Sequence, residues 1–218
     1  MWIIFDLDDT LVDASGTFGQ LRLAAALQAM KEAGLGKGEL EKLKEIDKRS
    51  NSGKEALENF LAELNADEFL KIGSDKYYNY GEKDISCINC FPGVKEMLHK
   101  LVSEHNLALV TYGNEQQQLL KLKIVGIDQG LFKKIIVTPV PEKGICYQQL
   151  MEEFELMNKD IVVCGDREGD LRPAKNLGLT TVHVRQGRGK VLNPEEWDYS
   201  LSSVIEIEEV VEEVIKKL

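Results

Sequence analysis

From Phe91 onward the chain alternates between two rhythms. Short runs rich in Val and Ile (Leu107–Thr111, Lys134–Thr138, Ile161–Cys164 and Thr181–Val184) are separated by stretches of helical length, Gly93–Glu104, Glu115–Val125, Ile145–Met157 and Leu171–Leu177. Strands that come singly, each followed by a helix, build right-handed βαβ units and a parallel sheet covered on both faces. The expected fold is therefore α/β, a Rossmann-like parallel sheet with helices on both faces, closed by an amphipathic helix over Ile205–Leu218. The apolar run Trp2–Phe5 has strand length and must join the same sheet, because a lone strand cannot bury its two faces.

Between that first strand and Phe91 the pattern is helical. No proline occurs from Gln20 to Asp84, and amphipathic runs cover Leu21–Ala33, Glu39–Arg49, Glu55–Leu64 and Asp67–Tyr80. Leu23, Ala26, Leu27 and Met30 recur at helical spacing, as do Leu57, Leu61 and Leu64. Glycine- and serine-containing breaks at 34–38 and 50–53 suit short helix-to-helix connections. The expected organisation is an α/β core of residues 1–13 and 89–218 with a small all-helical cap domain, 14–88, inserted after strand one. Residues 11–19 read as a loop, and linkers are expected near 12–18 and 84–92.

A chain of 218 residues buries about 70% of its unfolded surface and needs no disulfide staple. Its net charge of −10 argues against nucleic acid as a partner. No basic, apolar leader precedes strand one and no run approaches membrane-spanning length, so the expectation is a cytoplasmic protein without a membrane partner, monomer or homodimer. Cys87-Ile-Asn-Cys90 is the one CxxC, and no second pair has zinc-ribbon spacing. The thiols read as structural, with Cys164 a small core residue.

In open α/β sheets, ligands sit beyond the carboxyl ends of the strands, so the residues that follow each strand carry the functional reading. Strand one ends in Asp6-Leu7-Asp8-Asp9-Thr10. Side chains two apart in a strand share a face, so Asp6 and Asp8 are expected to point together. Like charges that close need a shared proton or a cation, and magnesium, an oxygen-seeking divalent ion, suits them. The next strand delivers Thr111, followed by Tyr112 and Gly113; the third leads to Lys143 at a helix start; the fourth ends in Gly165-Asp166-Arg167-Glu168-Gly169-Asp170. Together these strand ends offer a nucleophile, a metal site and donors for phosphate oxygens, the parts that phosphoryl transfer requires.

The order DLDDT, LVT, lysine, GDREGD resembles the haloacid dehalogenase superfamily across essentially the whole chain, including FPGV before the second core segment and DLRPAKNLG after the last acidic motif. The helical insert is similar to that superfamily's type-one cap. Two departures stand out: Tyr112 is bulky where a small or amide residue is common, and Lys143 is followed by Gly144 rather than proline, which keeps Lys133 and Lys134 as alternatives. The resemblance implies a magnesium-dependent phosphatase of the family's phosphatase branch, acting on a small phosphorylated metabolite through an aspartyl-phosphate. Asp6 would be the nucleophile and Asp8 the acid and base. Thr111 and Lys143 would hold the phosphate, with the backbone of Tyr112 and Gly113. Magnesium would lie on the Asp6 carboxylate, the Asp8 main-chain oxygen, Asp166 and Asp170. Asp9 and Thr10 would stabilise the turn. In the cap, the loop 48–54 places Arg49, Ser50, Asn51 and Lys54 as the candidates for choosing the substrate. A phosphomutase acting on a sugar phosphate is the alternative, and a non-catalytic phospho-receiver a remote one.

Overall fold

The computed structural model describes residues 1–80 and 87–217. The chain divides into two compact units, one of Met1–Asp13 with Ile88–Leu218 and one of Ala14–Cys87. In the first, β1 (Trp2–Phe5), β4 (Asn106–Tyr112), β5 (Phe132–Thr138), β6 (Ile161–Gly165), β7 (Thr180–Val184) and β8 (Tyr199–Leu201) form one six-stranded sheet in the order β5-β4-β1-β6-β7-β8. Every pairing in it is parallel. Counted along the sheet alone, this is the doubly wound order 3-2-1-4-5-6, whose direction reverses between β1 and β6.

Strand β1 is central because it is apolar on both faces. Ile3, Ile4 and Phe5 are buried, and the register sets Phe5 level with Leu109 of β4 and Cys164 of β6. One side of the sheet packs Trp2, Ile4, Ala108, Val110, Ile161 and Val163 against Tyr147 and Leu150 of α7 (Gly144–Glu153) and Ala174 of α8 (Glu168–Asn176). The flanking helices α5 (Val94–Leu101), α6 (Glu115–Val125) and α9 (Ile207–Lys216) complete the unit.

Two elements escape the sequence reading. Strand β8 is a three-residue edge strand, half-buried throughout, too short to show periodicity. Its place is fixed by Asp198, whose carboxylate accepts from the backbone N–H and hydroxyl of Thr181. A second, two-stranded sheet pairs β2 (Val12–Asp13) antiparallel with β3 (Asn89–Cys90), setting Asp13 opposite Asn89. The stretch expected to be a loop, 11–19, is thus a short strand followed by a π-helical turn, Ala14–Phe18, that runs into the next helix.

The second unit contains α1 (Gly19–Glu32), α2 (Leu40–Asp47), α3 (Gly53–Leu64) and α4 (Leu70–Tyr78). Their apolar faces meet in one core of Leu23, Leu27, Met30, Leu43, Leu57 and Phe60. Helix α3 starts where Ser52 Oγ accepts from the Glu55 N–H, an N-cap that satisfies a backbone donor with no partner in the helix. Arg22 lies over the Tyr77 ring, 4.6 Å from its centre, and its Nε donates to the Tyr77 carbonyl. The expected linker at 84–92 falls in part, and the last residue of the expected closing helix falls wholly, outside the described residues. Among the described residues no helix is long and apolar enough to cross a membrane.

After β7 the chain turns back against Asp9 of the first strand's acidic turn, where a Cβ on Gly187 would lie 2.5 Å from Asp9 Cβ. A Cβ on Gly189 would lie 2.0 Å from the Val184 carbonyl oxygen and 3.1 Å from Asp166 Cβ, and the Gly189 carbonyl is 2.7 Å from His183 Nε2. Backbone cannot yield there as a flexible side chain would. Gly189→Ala should therefore lower stability by about 1–3 kcal/mol, read as a lower midpoint in urea at unchanged m-value.

Candidate active site

Strand β1 stops at Phe5, and Asp6 is the first residue beyond it, its N–H donating to the Cys164 carbonyl at 3.0 Å. The chain then turns sharply. The Leu7 carbonyl accepts from the N–H groups of Leu11 and Val12, and Asp9 adopts a positive φ of 62°. Strand periodicity therefore no longer applies at Asp8. The two carboxylates expected side by side go to different partners. Asp6 Oδ1 accepts from Lys143 Nζ at 2.5 Å, whereas Asp8 accepts from Lys121 Nζ, at 2.8 Å to Oδ1 and 2.6 Å to Oδ2.

Lys143 is the organising cation. It sits just ahead of α7, its N–H donating to the Gly169 carbonyl. Its buried ammonium reaches Asp6 Oδ1 and Asp170 Oδ1, each at 2.5 Å, and the Val110 carbonyl at 2.8 Å. Three acceptors match the three protons of an ammonium. Burial works against its charge, yet Asp170 and Asp6 hold its pKa above the usual amine range. Lys134, the alternative, pairs instead with Glu153, and Lys133 is exposed.

The acidic side of the site is larger than its one central cation. Carboxylate oxygens of Asp6, Asp166 and Asp170 lie within 4.8 Å of one another, and all three residues are buried. Asp170 Oδ2 accepts from the Arg167 N–H, and Asp166 Oδ2 from Arg167 Nε. Asp166 Oδ1 is buried with no hydrogen-bond partner among the described residues. Such an orphaned anionic oxygen is costly. Burial pushes the Asp6 carboxyl up to about 7, against the pull of Lys143 and with Asp170 and Asp8 adding to the rise. Burial likewise holds Asp166 well above the carboxylate range, with Arg167 opposing. Three hard oxygen donors with an unmet acceptor fit a magnesium-sized cation.

On the other side of β1, Thr111 is buried at the end of β4, and its Oγ1 accepts from Gln118 Nε2 at 2.6 Å. That leaves its own O–H free to donate. Tyr112 is half exposed. Gly113 takes a φ of 147°, and its N–H donates to the Thr138 carbonyl at 3.0 Å, a bond that a phosphate oxygen would have to compete with. In the helical unit, Arg49 is exposed, Ser50 is buried with its hydroxyl donating to the Ile46 carbonyl, the Asn51 N–H donates to Glu55, and Lys54 pairs with Glu58 at 3.4 Å. Cys90 donates its thiol to the Leu11 carbonyl, and burial pushes its pKa up to about 11, the reverse of an activated thiol.

Lys121 and Gln118 were not among the residues singled out from sequence. They stand on α6 three apart, in line with buried Leu122 and Val125, so the polar pair extends a core-facing helical stripe. That placement was the available signal.

Residues 3–184 match the family model described as haloacid dehalogenase-like hydrolase. A Methanocaldococcus jannaschii protein named glyceraldehyde 3-phosphate phosphatase is 28% identical, over 98% of this chain and 98% of its own. A protein of the same name from Methanopyrus kandleri is 26% identical, again over 98% of each chain. The crystal structure of a predicted phosphoglycolate phosphatase from Haemophilus somnus shares the fold, with a TM-score of 0.74 at 21% identity over 96% of this chain and 97% of that one.

The raised Asp6 carboxyl has a definite pH signature. The folded chain keeps that proton up to about pH 7, whereas the unfolded one, at an ordinary 3.8, releases it earlier. The associated stability is complete below the unfolded value and is lost as pH rises through the folded one. A bound divalent cation would take over the proton's role as charge partner, so magnesium should stabilise more at about pH 8 than at about pH 5. At a hundredfold excess over Kd the rise in Tm should be about 5–10 °C. Calorimetry with magnesium or with a chelator reads it, and the increment should vanish in Asp166→Asn.

Proposed function

The chain belongs to the haloacid dehalogenase-like hydrolase family, and we propose that it is a magnesium-dependent phosphatase that hydrolyses a small phosphorylated metabolite through an aspartyl-phosphate, in the cytoplasm, as a monomer or homodimer. The observation that carries this reading is the buried cluster at the carboxyl ends of the central strands, Asp6, Asp166 and Asp170 around the Lys143 ammonium. Two relatives named glyceraldehyde 3-phosphate phosphatase make a three-carbon phosphate ester the first substrate to test.

In this mechanism the Asp6 carboxylate attacks phosphorus, and the bond from phosphorus to the leaving oxygen breaks. Asp8 gives that oxygen its proton. Asp8 then removes a proton from water as the water oxygen bonds to phosphorus and Asp6 leaves, which restores both side chains. Lys143 neutralises charge on the phosphate oxygens while holding Asp6, and the Thr111 hydroxyl donates to another phosphate oxygen, with the Tyr112–Gly113 backbone beside it. Asp166, with Asp6, Asp170 and the Asp8 main-chain oxygen, would hold magnesium, which supplies further neutralisation of the phosphoryl group when bound. Thr10, wholly buried, and Asp9, whose carboxylate lies 4.0 Å from Arg167, keep the turn in shape. We assign choice of substrate to the loop 48–54 of the helical insert, with Arg49, Ser50, Asn51 and Lys54 as its polar groups.

Phosphate release from a panel of phosphorylated metabolites, glyceraldehyde 3-phosphate first, tests the activity. Asp6→Asn should reduce turnover of an aryl phosphate to background in the presence of magnesium; a variant that still turns over would remove Asp6 as nucleophile. Asp8→Asn should lower kcat by about 10²–10⁴-fold. Arg49→Ala should raise KM for the preferred metabolite and leave a small aryl phosphate nearly unchanged, whereas equal shifts on both would take the loop out of substrate choice.

A further inference from the structure

Two polar residues on α6 are buried where apolar ones are the rule. Gln118 is 2% exposed and Lys121 7%, on the face that continues with Leu122 and Val125. A buried ammonium requires an anion, and among the described residues Lys121 meets one carboxylate, through both of its oxygens, at 2.8 Å and 2.6 Å. That carboxylate is Asp8. Gln118 Nε2 lies within bonding distance of Thr111 Oγ1 at 2.6 Å, the Tyr112 carbonyl at 3.1 Å and Asp8 Oδ2 at 3.2 Å. A single helix face therefore holds the end of β4 and the turn after β1 in one frame. Lys121 and Gln118 thus both hold Asp8, while the Lys143 ammonium holds Asp6.

We infer that Lys121, seconded by Gln118, is a positioning residue that fixes the direction from which Asp8 meets the leaving oxygen and then the water. The inference rests on the assignment of Asp8 as acid and base given above. The proton itself moves only between Asp8 and the reacting oxygens: from the carboxyl to the leaving oxygen as its bond to phosphorus breaks, and back from water as the bond from phosphorus to Asp6 breaks. Lys121 takes no part in the transfer. Its ammonium presents three donors with no fixed plane, so it retains one carboxylate oxygen while the other is protonated. An apolar residue at this position would fill the same space but leave Asp8 to rotate, and misplacement of a reacting group by about 1 Å costs about 10²-fold in rate.

The test compares two esters of similar size, p-nitrophenyl phosphate, whose phenolate leaves without a proton, and benzyl phosphate, whose alkoxide needs one. In Lys121→Met the first-turnover release of nitrophenolate should stay within about twofold of wild type, while kcat for benzyl phosphate falls by about 10–100-fold. The substrate Kd read from single-turnover rates should hold within about twofold for both, and Lys121→Arg should recover most of the loss. If Lys121→Met does not fold, the same ratio is read in Lys121→Gln, which keeps a donor without the charge. Equal losses on both esters, a change confined to that Kd, or no change would overturn the positioning role. Wild-type protein that releases phosphate from neither ester nor any metabolite of the panel would instead remove the phosphatase reading, and this role with it.

Discussion

One ammonium group holds the centre of this molecule. Lys143 Nζ touches Asp6, Asp170 and the Val110 carbonyl, which come from the residue after β1, the first turn of α8 and the second half of β4. Burying that much charge in an α/β core costs several kcal/mol per ion before pairing. Such an arrangement persists only where each partner is supplied and each hydrogen bond is made. Removing the lysine would leave carboxylates facing one another without water. The sheet order sets this up: β1 lies between β4 and β6, so the acids that follow β1 and β6 converge on the place where the winding reverses.

A second buried ammonium stands among these acids. Lys121 belongs to a helix rather than to a strand end, and it engages the aspartate that Lys143 does not. Two aspartates two residues apart in sequence thus face separate ammonium groups, one deep and one nearer the surface. This division is the physical basis for giving them different chemical roles. The two side chains do not share a cationic partner.

Much of this was legible in the chain. The strand run Trp2–Phe5 is found, with Asp6, Thr111 and Asp166 at strand ends and Lys143 and Asp170 at the helix starts that follow, because parallel strands in α/β folds are short, apolar and regularly spaced. What was not legible fails for identifiable reasons. Asp8 was expected beside Asp6 on strand geometry, but the strand ends at Phe5 and a turn with a positive φ at Asp9 redirects the next side chains. Lys121 and Gln118 lie within a run of glutamines and lysines that looks solvated, and only the buried Leu122 and Val125 reveal which face they share. Strand β8 and the β2–β3 pair are too short to carry a period. Their partners, and not their own composition, make them strands.

The small β2–β3 sheet carries one more consequence. Asp13 and Asn89 are direct partners across an antiparallel pair, which sets their Cα atoms about 5 Å apart. The chain departs for the helical unit just after the first and has returned just before the second. To the sheet, the whole of 14–87 is therefore the loop of a hairpin. Whatever fills that loop need only begin and end side by side, which helices in an up-and-down arrangement do without effort. A fold stitched in this way can exchange the inserted segment, lengthen it or shed it while the strand register of the sheet remains as it is.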